Sequence, residues 1–318
     1  MDKKAQISLD KIGTENRNPR TAEIDTLSTL EMVRLINEED QAVILAVKGA
    51  EQEIAHAIDA IVEQLKQGGR LVYIGAGTSG RLGVLDASEC LPTFGVGEEM
   101  VIGMIAGGDR ALRHPVESAE DSVEAVMEDL KAIHFNKNDI LCAIASSGRT
   151  PYCIAGIQYA KSLSAKTIGF ACVAESEIGK VADLKIETVV GAEVITGSTR
   201  MKSGSAQKMA LNMLSTGSMI QLGKVYSHWM VDVRSTNEKL KERSRKMLME
   251  ITDCTYDEAI ELLLEAKGHV KSAIVMKLLA INYAESVVLL EKYDGRIRQL
   301  LEGEKLQNQT LQNQKLQD

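Results

Sequence analysis

Five short apolar runs between residues 71 and 190 constrain the fold of this chain more than any other feature. The runs are LVYIG (71–75), VIGMIAGG (101–108), DILCAIAS (139–146), TIGFACV (167–173) and LKIETVV (184–190). Continuous apolar runs of this length, alternating with stretches of helical pattern, are typical of parallel strands that helices cover on both faces. The sequence therefore predicts an α/β fold with a doubly wound, mainly parallel five-stranded sheet over residues 56–223.

The segments on either side of this sheet have different patterns. Residues 1–25 are polar and predict an extended arm, whereas helical spacing begins at Thr26 and a longer helical stretch runs from Glu39 to Gln67. After Gly223 the pattern is helical and indicates a small three-helix module, and the polar end of the chain is expected to be disordered. We predict an N-terminal arm with helices (1–55), the sheet domain (56–223), a C-terminal helical module (224–302) and a Gln/Asn-rich tail (303–318).

Charge and residue usage argue against several classes of partner. The chain has 318 residues, of which 37 are basic and 45 acidic, and its net charge is −8 with only 3% aromatic residues. These values argue against nucleic acid or an anionic membrane as the main partner. No apolar run reaches the roughly 18 residues that a membrane helix needs, and the N-terminus has no apolar signal segment.

The five cysteines and five histidines are scattered, without the spacing of metal ligands. Such cysteines are expected to be buried free thiols in a reducing compartment, which favours a cytoplasmic protein. A dispersed histidine is more often a core or surface residue than a ligand, so we expect no metal site.

The first candidate ligand loop is Gly75-Ala76-Gly77-Thr78-Ser79-Gly80, directly after the first apolar run. It matches the GxGxxG pattern of dinucleotide sites, but that fold needs an acidic residue about 20 residues further on. The nearest acidic fit, Asp109, comes 29 residues after Gly80. The hydroxyl groups of Thr78 and Ser79 beside a helix N-terminus suit a monophosphate or sugar hydroxyls better.

Two further loops combine hydroxyl groups with a helix start. Ser146-Ser147-Gly148-Arg149-Thr150-Pro151 follows the third apolar run, and Pro151 is a natural first helical residue. A phosphate there would gain several donors and the positive end of the helix dipole. The segment 196–204, with Lys202 and Ser203, precedes another long helix. Its composition leaves open whether it lines the same cleft or caps its own helix.

Two glutamates lie at unusual positions in the helical pattern. Glu89 shares a helical face with Leu82 and Leu85, and Glu120 shares one with apolar residues at positions 116, 123 and 127. A carboxylate held against an apolar surface can act as an acid or base near neutral pH. The alternative is that both glutamates lie at helix ends and reach water.

Four segments together closely resemble one enzyme family. They are YIGAGTSGRLGVLDASEC (73–90), AGGDRALRHPVESAEDS (106–122), ASSGRTPY (145–152) and GSTRMKSGSAQKMALNML (197–214), and the arm segments TENRNP (14–19) and IDTLST (24–29) match as well. The family is that of the N-acetylmuramic acid 6-phosphate etherases, within the sugar isomerase domain superfamily. The similarity extends to about residue 300.

The resemblance implies a homodimer that acts in cell-wall recycling without a metal or nucleotide cofactor. It implies removal of the D-lactyl ether from the sugar phosphate, which gives N-acetylglucosamine 6-phosphate and D-lactate by elimination and hydration. The two acidic catalytic residues of the family correspond to Glu89 in LDASEC and Glu120 in SAEDS. The resemblance makes Glu89 the proton donor and Glu120 its partner.

Two other functions remain open from the sequence. A sugar-phosphate isomerase on the same fold would share the deprotonation at C2 but would not cleave the ether. A non-catalytic sugar-phosphate sensor, like the related glucokinase regulatory protein, would need the phosphate loops but not both glutamates in the cleft.

Overall fold

The computed structural model describes residues 13–116, 118–233 and 238–315, with side chains up to residue 306. The chain forms two compact units. The first, which we call the sheet unit, comprises Met1–Glu89 and Glu98–Ser218, and the second, the helical unit, comprises Cys90–Gly97 and Met219–Asp318. The division into four segments made from the sequence stays a prediction.

The sheet unit contains the predicted five-stranded sheet. Its strands are β1 (Leu71–Gly75), β2 (Val101–Ile105), β3 (Ile140–Ile144), β4 (Lys166–Ala171) and β5 (Leu184–Glu187). All neighbouring pairs are parallel, and the order is β2-β1-β3-β4-β5. The chain therefore winds outward in opposite directions from β1 and β3. In sheets of this kind, ligands bind beyond the carboxyl ends of the two strands where the order reverses.

Eight helices begin in the sheet unit. They are α1 (Thr29–Gly49), α2 (Glu51–Lys66), α3 (Gly77–Phe94), α4 (Arg110–Arg113), α5 (Val123–Ala132), α6 (Pro151–Ser162), α7 (Glu177–Val181) and α8 (Lys202–Gln221). The predicted boundary between the first two helices, near residue 38, is wrong, because the break lies at Ala50. Apolar spacing continues on both sides of the break, so spacing alone does not locate it.

The N-terminal segment is packed rather than extended, contrary to the prediction. Residues 13–26 form three short 3-10 turns, and the side chains of Thr14 and Thr21 are buried. The Thr21 hydroxyl donates to the Val194 carbonyl oxygen at 2.8 Å. Thr21 packs here because a buried carbonyl group satisfies its hydroxyl group, which a hydrophobicity pattern does not reveal. The predicted arm residues 1–12 lie outside the described ranges.

Strands and helices of the sheet unit pack around buried apolar side chains. Strands β1 and β3 are buried along their whole length, which explains their continuous apolar sequence. Helices α5 and α6 contribute residues such as Val126 and Ile157 to this core. The largest fully buried side chains include Tyr73, Tyr152 and Phe170.

The helical unit is richer than the predicted three helices. It contains an antiparallel hairpin, β6 (Val225–Tyr226) with β7 (Trp229–Met230), followed by α9 (Glu238–Thr252), α10 (Tyr256–Glu265), α11 (Val270–Leu279), α12 (Tyr283–Lys292) and α13 (Ile297–Lys315). Within the described ranges, no single helix has the length and apolarity to cross a membrane. Helices α11 and α12 meet that criterion only as a pair bent by 103°, and most of α11 is buried in the core of this unit.

Helix α13 continues into the predicted disordered tail as far as Lys315. Gln, Leu and Lys are good helix formers, and extending an existing helix costs much less than nucleating one. The prediction of a disordered tail rested only on how little surface its residues can bury, so it did not anticipate the extension of α13.

Replacement of Gly103 by alanine should destabilise the sheet unit. A Cβ at this position of β2 would lie 2.4 Å from the Val84 Cα and 2.7 Å from the Gly83 carbonyl oxygen of α3. We expect Gly103→Ala to lower the free energy of unfolding in urea by about 1–3 kcal/mol. Gly49→Ala is the matched control, because no heavy atom lies within 4 Å of its Cβ position. Equal losses in the two variants would contradict the close packing of α3 on β2.

Candidate functional site

The loops after β1 and β3 meet at the carboxyl edge of the sheet. Ser79 Oγ lies 3.4 Å from Ser146 Oγ. Gln207 of α8 joins the two, because Ser79 Oγ donates to Gln207 Oε1 at 3.0 Å and Gln207 Nε2 donates to Ser146 Oγ at 3.0 Å. All three side chains are buried. The structure thus brings the first two predicted loops together, and the hydroxyl groups of Ser79 and Ser146 hold them in place.

The glycines of the first loop are required because the chain turns back tightly against the end of β1. A Cβ at Gly80 would lie 2.5 Å from the Gly75 carbonyl oxygen, and Gly77 has a φ of +53°. The turn itself therefore explains the GxGxxG match, with no need for a dinucleotide. The third predicted loop lies nearby, since the Thr78 methyl group is 3.4 Å from the Cβ position of Gly204.

Four of the predicted substrate-binding side chains are free to bind a ligand. The side chains of Thr78, Ser147, Arg149 and Thr150 form no hydrogen bond or ion pair with any residue that the structure describes. Thr150 is the N-cap residue of α6 and Pro151 its first helical residue, as predicted, but the Thr150 side chain does not cap the helix. The N-terminus of α6 is therefore open to an anion.

The N-terminus of α8, in contrast, is occupied by the protein's own carboxylate. The backbone N–H groups of Lys202 and Ser203 donate to Glu193 at 2.9 Å, and Ser203 Oγ donates to it at 2.8 Å. Lys202 Nζ donates to Glu39 Oε2 at 2.9 Å, with both side chains buried. Glu193, which lies before the segment 196–204, therefore caps α8. Contact of Lys202 or Ser203 with a substrate stays a prediction that requires these bonds to be exchanged.

Glu39 also anchors the N-terminal segment. Asn18 Nδ2 donates to Glu39 Oε2 at 2.7 Å, and an Arg20 guanidinium nitrogen lies 3.2 Å from Glu39 Oε1. Burial would raise the pKa of Glu39, but hydrogen bonds from Lys202 and Asn18, together with the charges of Lys202 and Arg20, hold the pKa of this carboxyl below its usual value.

Glu120 does not lie on an α-helix, so the prediction from helical spacing is wrong for this residue. It lies in the 3-10 turn Ala119–Asp121, after Ser118 in the left-handed conformation and before α5 begins. The left-handed residue breaks the helical repeat that the spacing argument assumed. The Glu120 side chain is exposed and, with Gly77 and Arg81, lines a cleft of about 220 Å³. The turn also packs against α6, so Glu120 lies between the first two loops.

Arg81 fixes the segment that carries Glu120. Its Nε donates to the Leu112 carbonyl oxygen at 3.0 Å and one terminal nitrogen donates to the Ala111 carbonyl oxygen at 2.7 Å. Both carbonyl groups are at the end of the short helix α4, where a cation is favoured by the exposed carbonyl dipoles. Arg81 thereby links the start of α3 to the wall of the cleft.

Glu89 lies on α3, as predicted, but away from this cleft. It follows Gly77 by twelve residues, and a helical rise of about 1.5 Å per residue places it roughly 18 Å further along the helix. Its side chain is exposed, and its helical neighbour Leu85 is 49% exposed rather than part of the core. A single chain therefore gives Glu89 no apolar surround and does not bring it to Glu120. Catalytic roles for the two glutamates stay predictions.

The described residues include no group of three or more His, Cys, Asp or Glu side chains that could hold a metal ion. All five cysteines are free and buried. Burial raises the pKa of Cys153 and of Cys172 to about 12, so neither thiol is a reactive thiolate at neutral pH.

Sequence reasoning missed the polar residues that organise the loops. Gln207 lies in GSAQKMAL, within a segment that carries the family resemblance, and its amide both donates and accepts. Glu193 and Glu39 could not be identified from the sequence. The partners of Glu39 are distant in sequence, and the partners of Glu193 lie in the next loop. Arg81 was visible in TSGR, but its acceptors are backbone carbonyl groups, which a sequence does not display.

Acidification should release the N-terminal segment before the sheet unit unfolds. The pKa of Glu39 is lowered in the folded chain, so its stabilising contribution is present above the unfolded pKa of about 4.5 and is lost as pH falls through the folded pKa. Hydrogen–deuterium exchange of residues 13–27, corrected for intrinsic rates, should rise as the pH falls from about 5 to about 3.

In Glu39→Gln the same amides should exchange rapidly at both pH values. Glu38→Gln is the control, because Glu38 is an exposed neighbour that contacts Arg20 but not Lys202. Retention of pH-dependent protection in Glu39→Gln would show that another carboxyl group holds the segment.

The family model described as the glucokinase regulatory protein N-terminal SIS domain matches residues 53–161, and the SIS domain model matches residues 112–217. An N-acetylmuramic acid 6-phosphate etherase of Photorhabdus laumondii subsp. laumondii is 52% identical over 92% of this chain and 97% of its own length. That of Actinobacillus pleuropneumoniae serotype 5b is 52% identical over 94% and 99%, and that of Lactobacillus acidophilus is 50% identical over 93% and 100%. With half of its residues shared over nearly the full length of these proteins, the chain belongs to the N-acetylmuramic acid 6-phosphate etherase family.

Proposed function

We propose that this chain cleaves the D-lactyl ether of N-acetylmuramic acid 6-phosphate and releases N-acetylglucosamine 6-phosphate and D-lactate. The observation that carries the proposal is the 50–52% identity to etherases over more than nine-tenths of the chain. The free hydroxyl groups at the α6 N-terminus and the exposed Glu120 nearby support it. The physiological role that fits this reaction is peptidoglycan recycling and amino-sugar catabolism.

The chemistry follows from the ring-opened sugar. C1 is then an aldehyde, which acidifies the proton on C2. A base removes that proton, the C2–C3 double bond forms, and lactate leaves from C3 with a proton from an acid. Water then adds to the unsaturated aldehyde, with its oxygen bonding to C3 and a proton returning to C2. Every step is a proton transfer by a positioned group, so carboxyl groups suffice.

We assign the phosphate to the open N-terminus of α6. Ser147 and Thr150 supply hydroxyl donors, Arg149 supplies a positive charge, and the positive end of the helix dipole adds to the attraction. The backbone contributes little, because Pro151 has no N–H group and the Cys153 N–H group donates to the Thr150 carbonyl oxygen. We assign Thr78, in the first loop, to the same site. In this assignment Ser79 and Ser146 act by holding the two loops in register through Gln207.

We assign the proton transfers to Glu120 and Glu89, with Glu89 as the proton donor. Because Glu89 of one chain is far from its own cleft, we propose that Glu89 of a second copy completes the site in a homodimer. Apolar side chains exposed on α1 and α3 favour such an association: Leu30, Val33, Ile44, Leu45 and Leu85 are all exposed. The five free, buried thiols favour a cytoplasmic location.

Reaction in isotopically labelled water tests the proposed chemistry. Water oxygen should appear at C3 of N-acetylglucosamine 6-phosphate and not in the D-lactate, and deuterium should appear at C2. Mass spectrometry of both products measures the two labels. Deuterium uptake without lactate would identify an isomerase, and binding without either change would identify a sensor. Label found only in lactate would exclude the elimination.

Removal of either carboxylate should stop turnover without unfolding the chain. Glu89→Gln and Glu120→Gln keep the side-chain size of exposed residues, and we expect D-lactate release to fall at least about 100-fold in each. Glu124→Gln is the control, since Glu124 is an exposed glutamate on the adjacent helix α5. Near-normal turnover in either variant would remove that residue from the mechanism.

A mixture of the two inactive variants tests whether the site is shared. After subunit exchange, half of the dimers are mixed and each has one intact site, so the mixture should regain about a quarter of the wild-type rate. No recovery, with exchange verified by native mass spectrometry, would place both glutamates in one chain.

The free hydroxyl groups should determine affinity for the phosphate. Ser147→Ala and Thr150→Val each remove a donor to a charged group, and KM should rise about tenfold or more with little change in kcat. Ser162→Ala, at the opposite end of α6, is the matched control. Unphosphorylated N-acetylmuramic acid should be a poor substrate for the wild-type enzyme. If both sugars react equally well, the α6 terminus is not a phosphate site.

A further inference from the structure

The helical unit contains a polar cavity that the proposed reaction does not use. Its volume is about 610 Å³, within the range of small-molecule sites. Lys224 lines it, as does Asp232, which follows β7. The turn between α10 and α11 contributes Lys267 and His269, and the first turn of α11 contributes Lys271. We call it the lysine cavity.

The charges in the lysine cavity do not balance. Asp232 Oδ2 accepts from both Lys224 Nζ, at 3.0 Å, and Lys271 Nζ, at 2.8 Å. Lys267 Nζ lies 4.9 Å from the centre of the Tyr283 ring. Among the described residues that line the cavity, Asp232 is the one carboxylate, whereas three are lysines. The surplus of two positive charges matches a phosphomonoester, which carries −1.5 to −2 at neutral pH.

Lys271 is the buried member of this cluster. Its side chain is only 11% exposed, and burial lowers the pKa of its ammonium group despite the contact with Asp232. Gly295 packs closely beside it, since a Cβ there would lie 3.1 Å from Lys271 Nζ. The ammonium group is therefore held in position and has lost much of its hydration, which a second anion would offset.

Helix α11 begins at the same cavity. Val270 is its first residue, and the side chain of the N-cap residue His269 does not cap it. Within the described ranges, no acceptor is present for the N–H groups of Val270, Lys271 and Ser272. These groups and the helix dipole add to the attraction that the lysines exert on an anion.

We propose that the lysine cavity binds the phosphate group of a sugar-sized phosphomonoester, as a second site separate from the cleft beside Glu120. Lys267 and His269 are exposed and would contact the ligand first, whereas Lys224 and Lys271 would approach it from the walls. The inference does not depend on ether cleavage, because no residue of the lysine cavity belongs to the sheet unit.

The experiment counts phosphate sites on the full-length protein. Inorganic phosphate and glucose 6-phosphate are titrated by calorimetry into wild type, Lys267→Gln, and the double variant Lys224→Gln/Lys267→Gln. We expect two sites per wild-type chain and about tenfold weaker binding at one of them for each lysine removed. Lys246→Gln, at an exposed lysine of α9 that does not line the cavity, should leave both sites unchanged.

The double substitution Ser147→Ala/Thr150→Val separates this proposal from the proposed function. It should abolish the sheet-unit site and leave binding that depends on Lys267. If that substitution removes all phosphate binding, or if Lys267→Gln changes nothing, the lysine cavity is not a phosphate site. If the protein releases no lactate but still binds phosphate in a Lys267-dependent way, the proposed function is wrong and the lysine-cavity proposal stands. Lys267 is exposed, so its substitution should not impair folding, which circular dichroism verifies.

Discussion

The buried carboxylate of Asp86 determines how α3 sits on the sheet, and the site depends on that helix. Asp86 accepts hydrogen bonds from Tyr73 Oη of β1 at 3.0 Å, and from Asn212 Nδ2 and Ser215 Oγ of α8 at 2.8 and 3.0 Å. Burial raises the pKa of Asp86, and the three donors offset part of that cost. Helix α3 begins at the first ligand loop and carries Glu89 one turn after Asp86. The hydrogen bonds of Asp86 therefore fix the positions of both the loop and Glu89.

Two carboxylates, Glu193 and Glu39, distinguish the N-terminus of α8 from the N-terminus of α6. Glu193 fills the positive end of α8, and Glu39 neutralises Lys202 beside it. A phosphate would have to displace both carboxylates to bind there. The N-terminus of α6 has a similar dipole but no carboxylate, and Ser147 and Thr150 remain free. An incoming dianion therefore meets repulsion at α8 and unpaired donors at α6.

The sequence predicted the strands well because burial on both faces leaves an unbroken apolar run, as at β1 and β3. It predicted Glu120 poorly because a left-handed Ser118 interrupts the helical repeat without altering the apolar spacing. It could not assign Lys202 and Ser203, since hydroxyl groups and cations before a helix suit a cap and a phosphate equally. Glu39, the partner of the Lys202 ammonium group, lies 163 residues away, and a contact at that separation leaves no local pattern.

The proposed chemistry places a strict demand on the two glutamates. C2 and C3 are bonded to each other, so the base and the acid must reach atoms only about 1.5 Å apart, each within hydrogen-bonding distance. Within one chain, Glu89 lies roughly 18 Å along α3 from Gly77 and roughly 12 Å from Arg81, which also lines the cleft. Bending α3 would break the contacts of Asp86 with β1 and α8. A Glu89 supplied by a second copy leaves those contacts intact. The hydrogen bonds of Asp86 keep the two glutamates apart within one chain, and they therefore favour a site that two copies share.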